Sequence, residues 1–551
     1  MDVVTMVLVF LLAVIVSRYI WNFLPIKIPL PLLQIALGAG LSYGFGFDVV
    51  LEPHLFLFLF IPPLLFLDGW RIPKGAFFRD WHAILALAIG LVVFTVLGVG
   101  LLIDLLVPGV PLAVAFALAA ILSPTDPVAV SAMTANSPLP SRLMHILEGE
   151  SLLNDATGLV CFSFAVAAAL TGSFSIGSAS LGFLKVAGGG IVVGLLVTAG
   201  VSAVNRMLVG RTVEEPSMQI LVSLLIPFTA YLAAEHIHVS GVLAAAVAGI
   251  AMHYVELSGR ALPSTRMQRN AVWDTVQAAL NGIIFVLLGE QLPRLLRTLP
   301  EVENAAVHDA WHVLGYVLAI TLALGALRFL WVWIITHGVS RLAQRRGRVV
   351  PVPPTRTLAL TATAGVRGAI TLAGVLTLPT LMPDGSPFPA RDLAIVLAMG
   401  VILMSLLIAS IGLPLLTRGV DKIDTGGMVG ATAKEGHART AAAEAAIRKV
   451  EHMIASPLPN QVEEANRAEA AAHVLDVYRR RLDYGDKTTP GSTRAHDLAE
   501  TERRLRLAAL AAERDELYRL RRSQGLDDSL VQKLVREIDL METSLSRAAH
   551  H

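Results

Sequence analysis

Apolar and polar residues in this chain alternate on the scale of whole helices. From Val3 to about Leu416, mostly apolar runs long enough for a bilayer crossing, about 20 residues each, are separated by short polar links. Thirteen such segments are predicted, near 4–24, 29–47, 53–69, 81–107, 111–135, 141–170, 182–207, 217–235, 239–256, 271–292, 311–339, 356–380 and 391–418. Pro62 and Pro63 interrupt the helical pattern of the third. Two others carry breaking signals in their middles. In the fifth, Ser123-Pro-Thr-Asp-Pro-Val-Ala-Val130 sets prolines on both sides of Thr125-Asp126, and in the twelfth, Gly365-Val-Arg-Gly-Ala-Ile370 sets glycines about Arg367. Non-helical backbone at membrane depth is tolerated only where protein or a water-filled cavity surrounds it. The fifth and twelfth segments lie seven spans apart, with six between them, so they run in opposite directions. The expected fold is therefore an all-α polytopic membrane protein, an inverted repeat with two crossed broken helices, of the kind that holds a transport site at the midplane.

After residue 420 the pattern changes. Ala, Glu and Arg dominate helix-like runs near 434–455, 461–483, 494–523 and 527–547, broken by Pro457-Leu-Pro459 and by the loop at Thr488–Ser492. Leu507, Leu510, Leu517 and Leu520 recur at amphipathic spacing. The chain thus divides into a transmembrane domain, 1–420, and a helical cytoplasmic tail, 421–551. Composition sharpens that division. Of 551 residues 54% are hydrophobic and 16% charged, with a mean hydropathy of +0.64, which excludes a soluble globular protein. Residues 1–420 hold 44 charged side chains, and the last 131 hold nearly as many, 43.

A net charge of +1 and the lack of a polybasic block in the tail argue against a nucleic-acid partner. The one cysteine, Cys161, has no intrachain partner for a disulfide. No phosphate-binding loop is present, and no serine–histidine or paired-aspartate arrangement shares one depth, so neither an enzyme nor a resident cofactor is expected. The first segment lacks a basic flank and reads as a retained span with its N-terminus outside. On that orientation the inside loops hold 15 basic residues, from Lys27 to Arg356, and the outside loops keep only Arg294, Arg297 and Arg391, with Lys185 at a helix start. The bias places the C-terminus in the cytoplasm.

The chemistry concentrates in Glu148-Gly-Glu-Ser-Leu-Leu-Asn-Asp-Ala-Thr157, inside the sixth segment. Ionisable groups at membrane depth cost roughly 2.5–3.5 kcal/mol each on insertion scales and are normally kept for ion or proton handling. Residues four apart share a helix face, so Ser151 and Asp155 line one side and Glu150 and Asn154 another. A hard monovalent cation takes oxygen ligands, which Asp155, Ser151 and the carbonyls freed near Thr125 supply. An ionised Asp155 binds the cation and a protonated one does not, so one carboxylate carries either occupant. With Asn154 beside it in place of a second acid, the expected stoichiometry is one cation for one proton with no net charge moved. Crossed broken helices also need their dipole ends balanced, by Asp126 at the positive ends and Arg367 at the negative ones. Glu150 requires a partner, and Arg328, alone in the apolar eleventh segment, is the candidate.

Thr125-Asp126-Pro127, followed by Glu150-Ser-Leu-Leu-Asn154-Asp155 and a glycine-flanked Arg367, resembles the monovalent cation/proton antiporter-1 family, the sodium/proton exchangers of the bacterial NhaP and animal types. The resemblance covers essentially residues 1–420. It implies a thirteen-helix homodimer in a bacterial plasma membrane, with a mobile six-helix core and a dimerisation domain. It further implies Asp155 as the ion-binding acid, Ser151 and Thr125 as further Na⁺ ligands, Asn154 as the group that steadies the site, and Glu150 with Arg328 as a structural pair. Asp68, near the inner end of the third segment, stands where relatives often carry an acid and is a possible cavity residue. Expected partners are a monovalent cation, the proton, membrane lipid and a second copy. Rival readings are a K⁺/H⁺ antiporter of the same fold and a cation channel, which would need rings of carbonyls or charges about a continuous pore.

Overall fold

A computed structural model describes residues 3–25, 28–45, 53–134, 139–172, 176–209, 215–257, 263–303, 310–345, 352–417, 425–455, 467, 469–479, 492–524, 534–535 and 537–542. Two compact units divide the chain, Met1–Lys422 and Ile423–His551.

In the first unit, each predicted segment coincides with a helix or an interrupted one. The order is α1 (Val3–Phe23), α2 (Leu30–Phe45), α3 (Pro53–Arg71), the short α4 (Lys74–Arg79), α5 (Trp81–Leu85), a π-helical stretch (Ala86–Leu91), α6 (Val92–Leu106), α7 (Leu112–Leu122) and α8 (Pro127–Met133). It continues with α9 (Ser141–Thr171), α10 (Ile176–Val209), α11 (Pro216–His236), α12 (Gly241–Leu257), α13 (Pro263–Glu303), α14 (Ala310–Arg345), α15 (Thr355–Thr363), α16 (Ala369–Leu376) and α17 (Arg391–Thr417). Among the described residues eight helices are long and apolar enough to span a bilayer, and the pair α7–α8, bent by 49°, makes a ninth. The helices at Leu30–Gly44 and Gly241–Glu256 are apolar but shorter. The thirteen crossings predicted from the sequence therefore exceed what helix length and apolarity show.

Large apolar side chains such as Leu8, Leu12, Leu105, Leu181 and Leu196 are exposed on the outside of the bundle, the surface a multi-pass membrane protein turns to lipid. Against the expected interruption, α3 runs unbroken through Pro62 and Pro63. Neighbouring helices bury this stretch, Ile61 at 1% and Leu65 at 3% exposure, and such packing is what lets a membrane helix keep an internal proline.

The helices sort into two groups. One comprises α1–α3 with α10–α13, in which α2 packs along α13 and α3 along α12. A Cβ on Gly38 would lie 2.0 Å from the Val286 carbonyl oxygen, and one on Gly289 1.9 Å from that of Ile35. Gly69 and Gly249 meet the carbonyls of Ala246 and Phe66 in the same way. These seams are backbone against backbone, the close approach that small residues allow in lipid.

The other group comprises α5–α9 with α14–α17. Within its π stretch, invisible to apolar periodicity, the Ala86 carbonyl accepts the Trp331 indole N–H at 3.0 Å. At the end of α3, Lys74 Nζ donates to the carbonyls of Gly69 (2.5 Å), Ile72 (2.9 Å) and Trp70 (3.3 Å), a cap one turn beyond Asp68. Asp80, between α4 and α5, pairs with Arg142 at 2.7 Å and Arg79 at 3.0 Å, tying the start of α9 to the α4–α5 corner. Burial works against its charge, yet the two guanidiniums hold Asp80 below the usual carboxylate range.

The second unit contains α18 (Thr425–Ile454), a helical stretch at 469–479 and the helix Ser492–Gln524. Within it Arg514 pairs with Asp539 at 2.9 Å and with Glu542. Lys27, Arg211, Arg260, Arg346 and Arg348 of the charge-bias argument lie outside the described residues, as do the Pro457–Pro459 break, most of the Thr488–Ser492 loop and parts of the predicted runs 461–483 and 527–547.

Candidate functional site

Two chain breaks meet inside the second group. Pro124 and Pro127 supply no N–H, so α7 ends at Leu122 and α8 restarts at Pro127 with Asp126 as its N-cap. Asp126 Oδ1 accepts from the Val128 N–H at 2.9 Å and the Ala129 N–H at 3.2 Å. The Asp126 backbone N–H donates to the Val366 carbonyl of the other break at 2.8 Å, so the two breaks touch. A Cβ on Gly368 would lie 2.3 Å from Asp126 Oδ2, which sets the same carboxylate against the start of α16 and leaves no room for a side chain there. Arg367 serves the opposite ends. Its Nε donates to the Leu122 carbonyl at 2.8 Å and its Nη1 to the Gly365 carbonyl, while its backbone N–H donates to Ser405 Oγ at 3.2 Å. Each half-helix end carries about half an elementary charge. One acid thus stands at two N-termini and one base at two C-termini.

A buried polar chain joins these breaks to α9 and α14. Arg328 donates to both oxygens of Glu150, at 2.5 and 2.6 Å, with the two residues 2% and 1% exposed. Its Nε donates to the Thr361 carbonyl of α15 at 2.9 Å. The Thr125 hydroxyl donates to Glu150 Oε1 at 3.4 Å and accepts from Asn154 Nδ2 at 3.1 Å. Bidentate geometry and further bonds on both partners are what make a buried ion pair tolerable. Thr125 therefore has its hydroxyl committed to this chain, and Asn154 steadies it.

Asp155 (3% exposed) and Ser151 (6%) face a cavity at the contact of the two helix groups. Asp68 of α3, Thr125 and Asp126 of the first break, Asn281 of α13 and Thr371 of α16 border it too. Of the predicted residues, Asp155, Ser151, Thr125, Asp126 and Asp68 come together at the cavity. Glu150 and Arg328 stand behind it as a pair, and Asn154 and Arg367 support its walls. Asn281 and Thr371 were missed, because an isolated amide or hydroxyl in an apolar run carries no signal until tertiary packing brings it to a cavity. The electrostatics are one-sided. Asp126, Asp68 and Glu150 all stand close enough to Asp155 to repel its charge. Among the described residues Arg328 is bound to Glu150, and no base pairs with Asp155.

The sequence pattern of the transmembrane sodium/hydrogen exchanger family matches residues 3–419. The chain belongs to this family. Among its relatives in that family is the uncharacterised Na⁺/H⁺ exchanger YjcE of Escherichia coli, 41% identical over 99% of this chain and 99% of that one. Another is a sodium, potassium, lithium and rubidium/H⁺ antiporter of Bacillus pumilus, 37% identical over 91% of this chain and 72% of that protein. The solved sodium proton antiporter MjNhaP1 of Methanocaldococcus jannaschii covers 76% of this chain and 99% of its own at a TM-score of 0.56 and 18% identity, a likeness that shows a shared fold. For a sodium/hydrogen exchanger, both broken helices and every residue of the cavity fall inside the matched 3–419.

Proposed function

We propose that this protein is a secondary antiporter that exchanges Na⁺, or another alkali cation, for H⁺ by alternating access, using the ion gradient as its energy source and serving pH and sodium homeostasis. The observation that carries this reading is Asp155, buried on α9 beside Ser151 in a cavity bordered by two further acids, Asp68 and Asp126, with no base paired to it among the described residues. In the cation-loaded form Asp155 is ionised, and its carboxylate with Ser151 Oγ and backbone oxygen near Thr125 replaces part of the hydration shell. Protonation cancels the charge, weakens that coordination and releases the cation. An empty, ionised Asp155 is expensive to carry through a low-dielectric interface, so the reorientation step runs with one occupant or the other.

Asp126 is held at two helix N-termini and Glu150 by Arg328, which leaves Asp155 as the exchanging group and makes the stoichiometry one cation for one proton. A current in reconstituted vesicles under ion gradients would mean that Asp68, on the same cavity, loads a second proton. The protein is read as a homodimer in a bacterial plasma membrane, with the N-terminus outside and residues 421–551 forming a cytoplasmic tail.

Which alkali cation is carried has a second answer. Oxygen ligands alone do not set size selectivity, and relatives from Bacillus pumilus and Bacillus subtilis bear names that include potassium, lithium and rubidium. Proton flux in proteoliposomes driven by Na⁺, Li⁺ or K⁺ separates these, with Asp155→Asn as the control. Cation-dependent flux is expected in the wild type and none in Asp155→Asn; flux that survives the substitution, or a conductance that does not saturate, overturns the antiporter reading.

A further inference from the structure

We propose that Thr371, on the second broken helix, is a ligand of the transported alkali cation and helps to set which cation the cavity prefers. The inference rests on the reading of the cavity as the exchange site and adds to it a residue of α16. Thr371 is 1% exposed and borders the cavity with Asp155 and Ser151. Its Oγ1, buried, meets no hydrogen-bond partner among the described residues. That is costly for a hydroxyl, and it is not the habit of threonines nearby. Thr157, Thr361 and Thr363 each donate to the carbonyl four residues earlier, at 3.1, 2.9 and 2.9 Å. Thr371 lacks that outlet because the residue four back, Arg367, lies before the Gly368 break and outside α16.

The other threonine of the cavity is already engaged, since Thr125 Oγ1 donates to Glu150 and accepts from Asn154. Thr371 therefore offers the uncommitted hydroxyl on the broken helices, opposite in origin to the Ser151 and Asp155 pair on α9. A hydroxyl oxygen is a neutral hard ligand suited to an alkali cation. Being neutral, it acts on the cation and leaves the protonation of Asp155 to the acids around it. A small cation is the more sensitive to loss of one close oxygen, so Na⁺ and Li⁺ depend on Thr371 more than K⁺ does.

The test is Thr371→Val, which keeps the shape and removes the hydroxyl, beside Thr371→Ser, which keeps the hydroxyl and removes the methyl. Antiport is measured in proteoliposomes as the apparent KM for Na⁺, Li⁺ and K⁺ and as the pH profile at saturating cation. Thermal stabilisation of the purified full-length protein by NaCl is followed in parallel as a readout independent of turnover. For Thr371→Val the expected result is an Na⁺ KM raised about tenfold, the worth of one good polar contact, with a smaller rise for K⁺. The maximal rate and the pH profile stay near wild type, the NaCl needed for stabilisation rises in step, and Thr371→Ser restores all of these. Unchanged cation KM values in Thr371→Val overturn the proposal, as does equal impairment of the Val and Ser variants, which would assign the residue to packing. Failure of the underlying reading looks different: the wild type itself would show no cation-driven proton flux.

Discussion

The two helix groups of the membrane unit are held together by opposite means. Along α2–α13 and α3–α12 glycines bring backbone onto backbone: Gly38, Gly69, Gly249 and Gly289 each face a carbonyl that a Cβ would strike. Charge enters at the helix ends, where Glu256 bonds Trp70 and Arg269 and where Arg71 pairs with Asp274. The crossed-helix group is held by charge, with Asp126 at two helix starts, Arg367 at two helix ends, and Glu150–Arg328 binding α9 to α14. A seam of close van der Waals contact is stiff and indifferent to ions. A lattice of charges about interrupted backbone exposes carbonyls and polar side chains to a cavity and responds to what occupies it. The cavity sits where the two kinds of packing meet, since Asp68 and Asn281 come from the first group and Ser151, Asp155 and Thr371 from the second.

The strongest way to break this contrast is to cut the charge lattice. Glu150→Ala or Arg328→Ala leaves an uncompensated charge at 1–2% exposure, which costs about 3–5 kcal/mol. Loss of monodisperse protein in detergent is expected for each single variant, while the double replacement by methionine recovers most of the melting temperature. Single variants as stable as wild type would remove charge as the binding agent. Next in size are two glycine substitutions that should behave differently. Gly38→Ala drives a Cβ to 2.0 Å from the Val286 oxygen and lowers stability by about 1–3 kcal/mol through overpacking, with the ratio of Na⁺ to K⁺ KM unchanged. Gly368→Ala pushes on Asp126 and alters cation KM values; equal effects of the two on ion preference would erase the distinction between the groups.

The smallest effect belongs to Asp80. Its partners Arg79 and Arg142 are 62% and 70% exposed, so Asp80→Asn costs about 1 kcal/mol or less. Because the folded-state value is lowered, the contribution is fully present above the unfolded value of about 3.9 and fades as pH falls through the folded one. Melting curves of the two proteins should differ by a constant amount from about pH 6 to about pH 9 and converge only in acid; convergence near neutral pH would show that the Arg79 and Arg142 pairs contribute nothing.

What the sequence made legible follows the same contrast. Charges in an apolar run demand an explanation, and so the Glu150–Arg328 pair, the balancing positions of Asp126 and Arg367, and the shared face of Ser151 and Asp155 could all be read before any fold was known. Proline and glycine marked both breaks. Packing by small residues left no comparable trace: Gly38 and Gly289 look like any glycines in a membrane helix until their partner carbonyls are located. The π stretch at Ala86–Leu91 and the short α4 have no distinct apolar period, and Pro62-Pro63 suggested a break in α3 that neighbouring helices prevent. Asn281 and Thr371 depended on tertiary packing altogether.

The central claim is that one carboxylate, Asp155, accepts either a cation or a proton and never both. Calorimetric titration of the purified protein with NaCl, in buffers of different ionisation enthalpy near the pH of half-maximal activity, counts the protons released per Na⁺ bound. Release approaching one proton per cation in acidic buffer, falling away as pH rises and Asp155 is already ionised, is the predicted result, with no binding in Asp155→Asn. Sodium that binds the wild type at every pH without releasing a proton would contradict it.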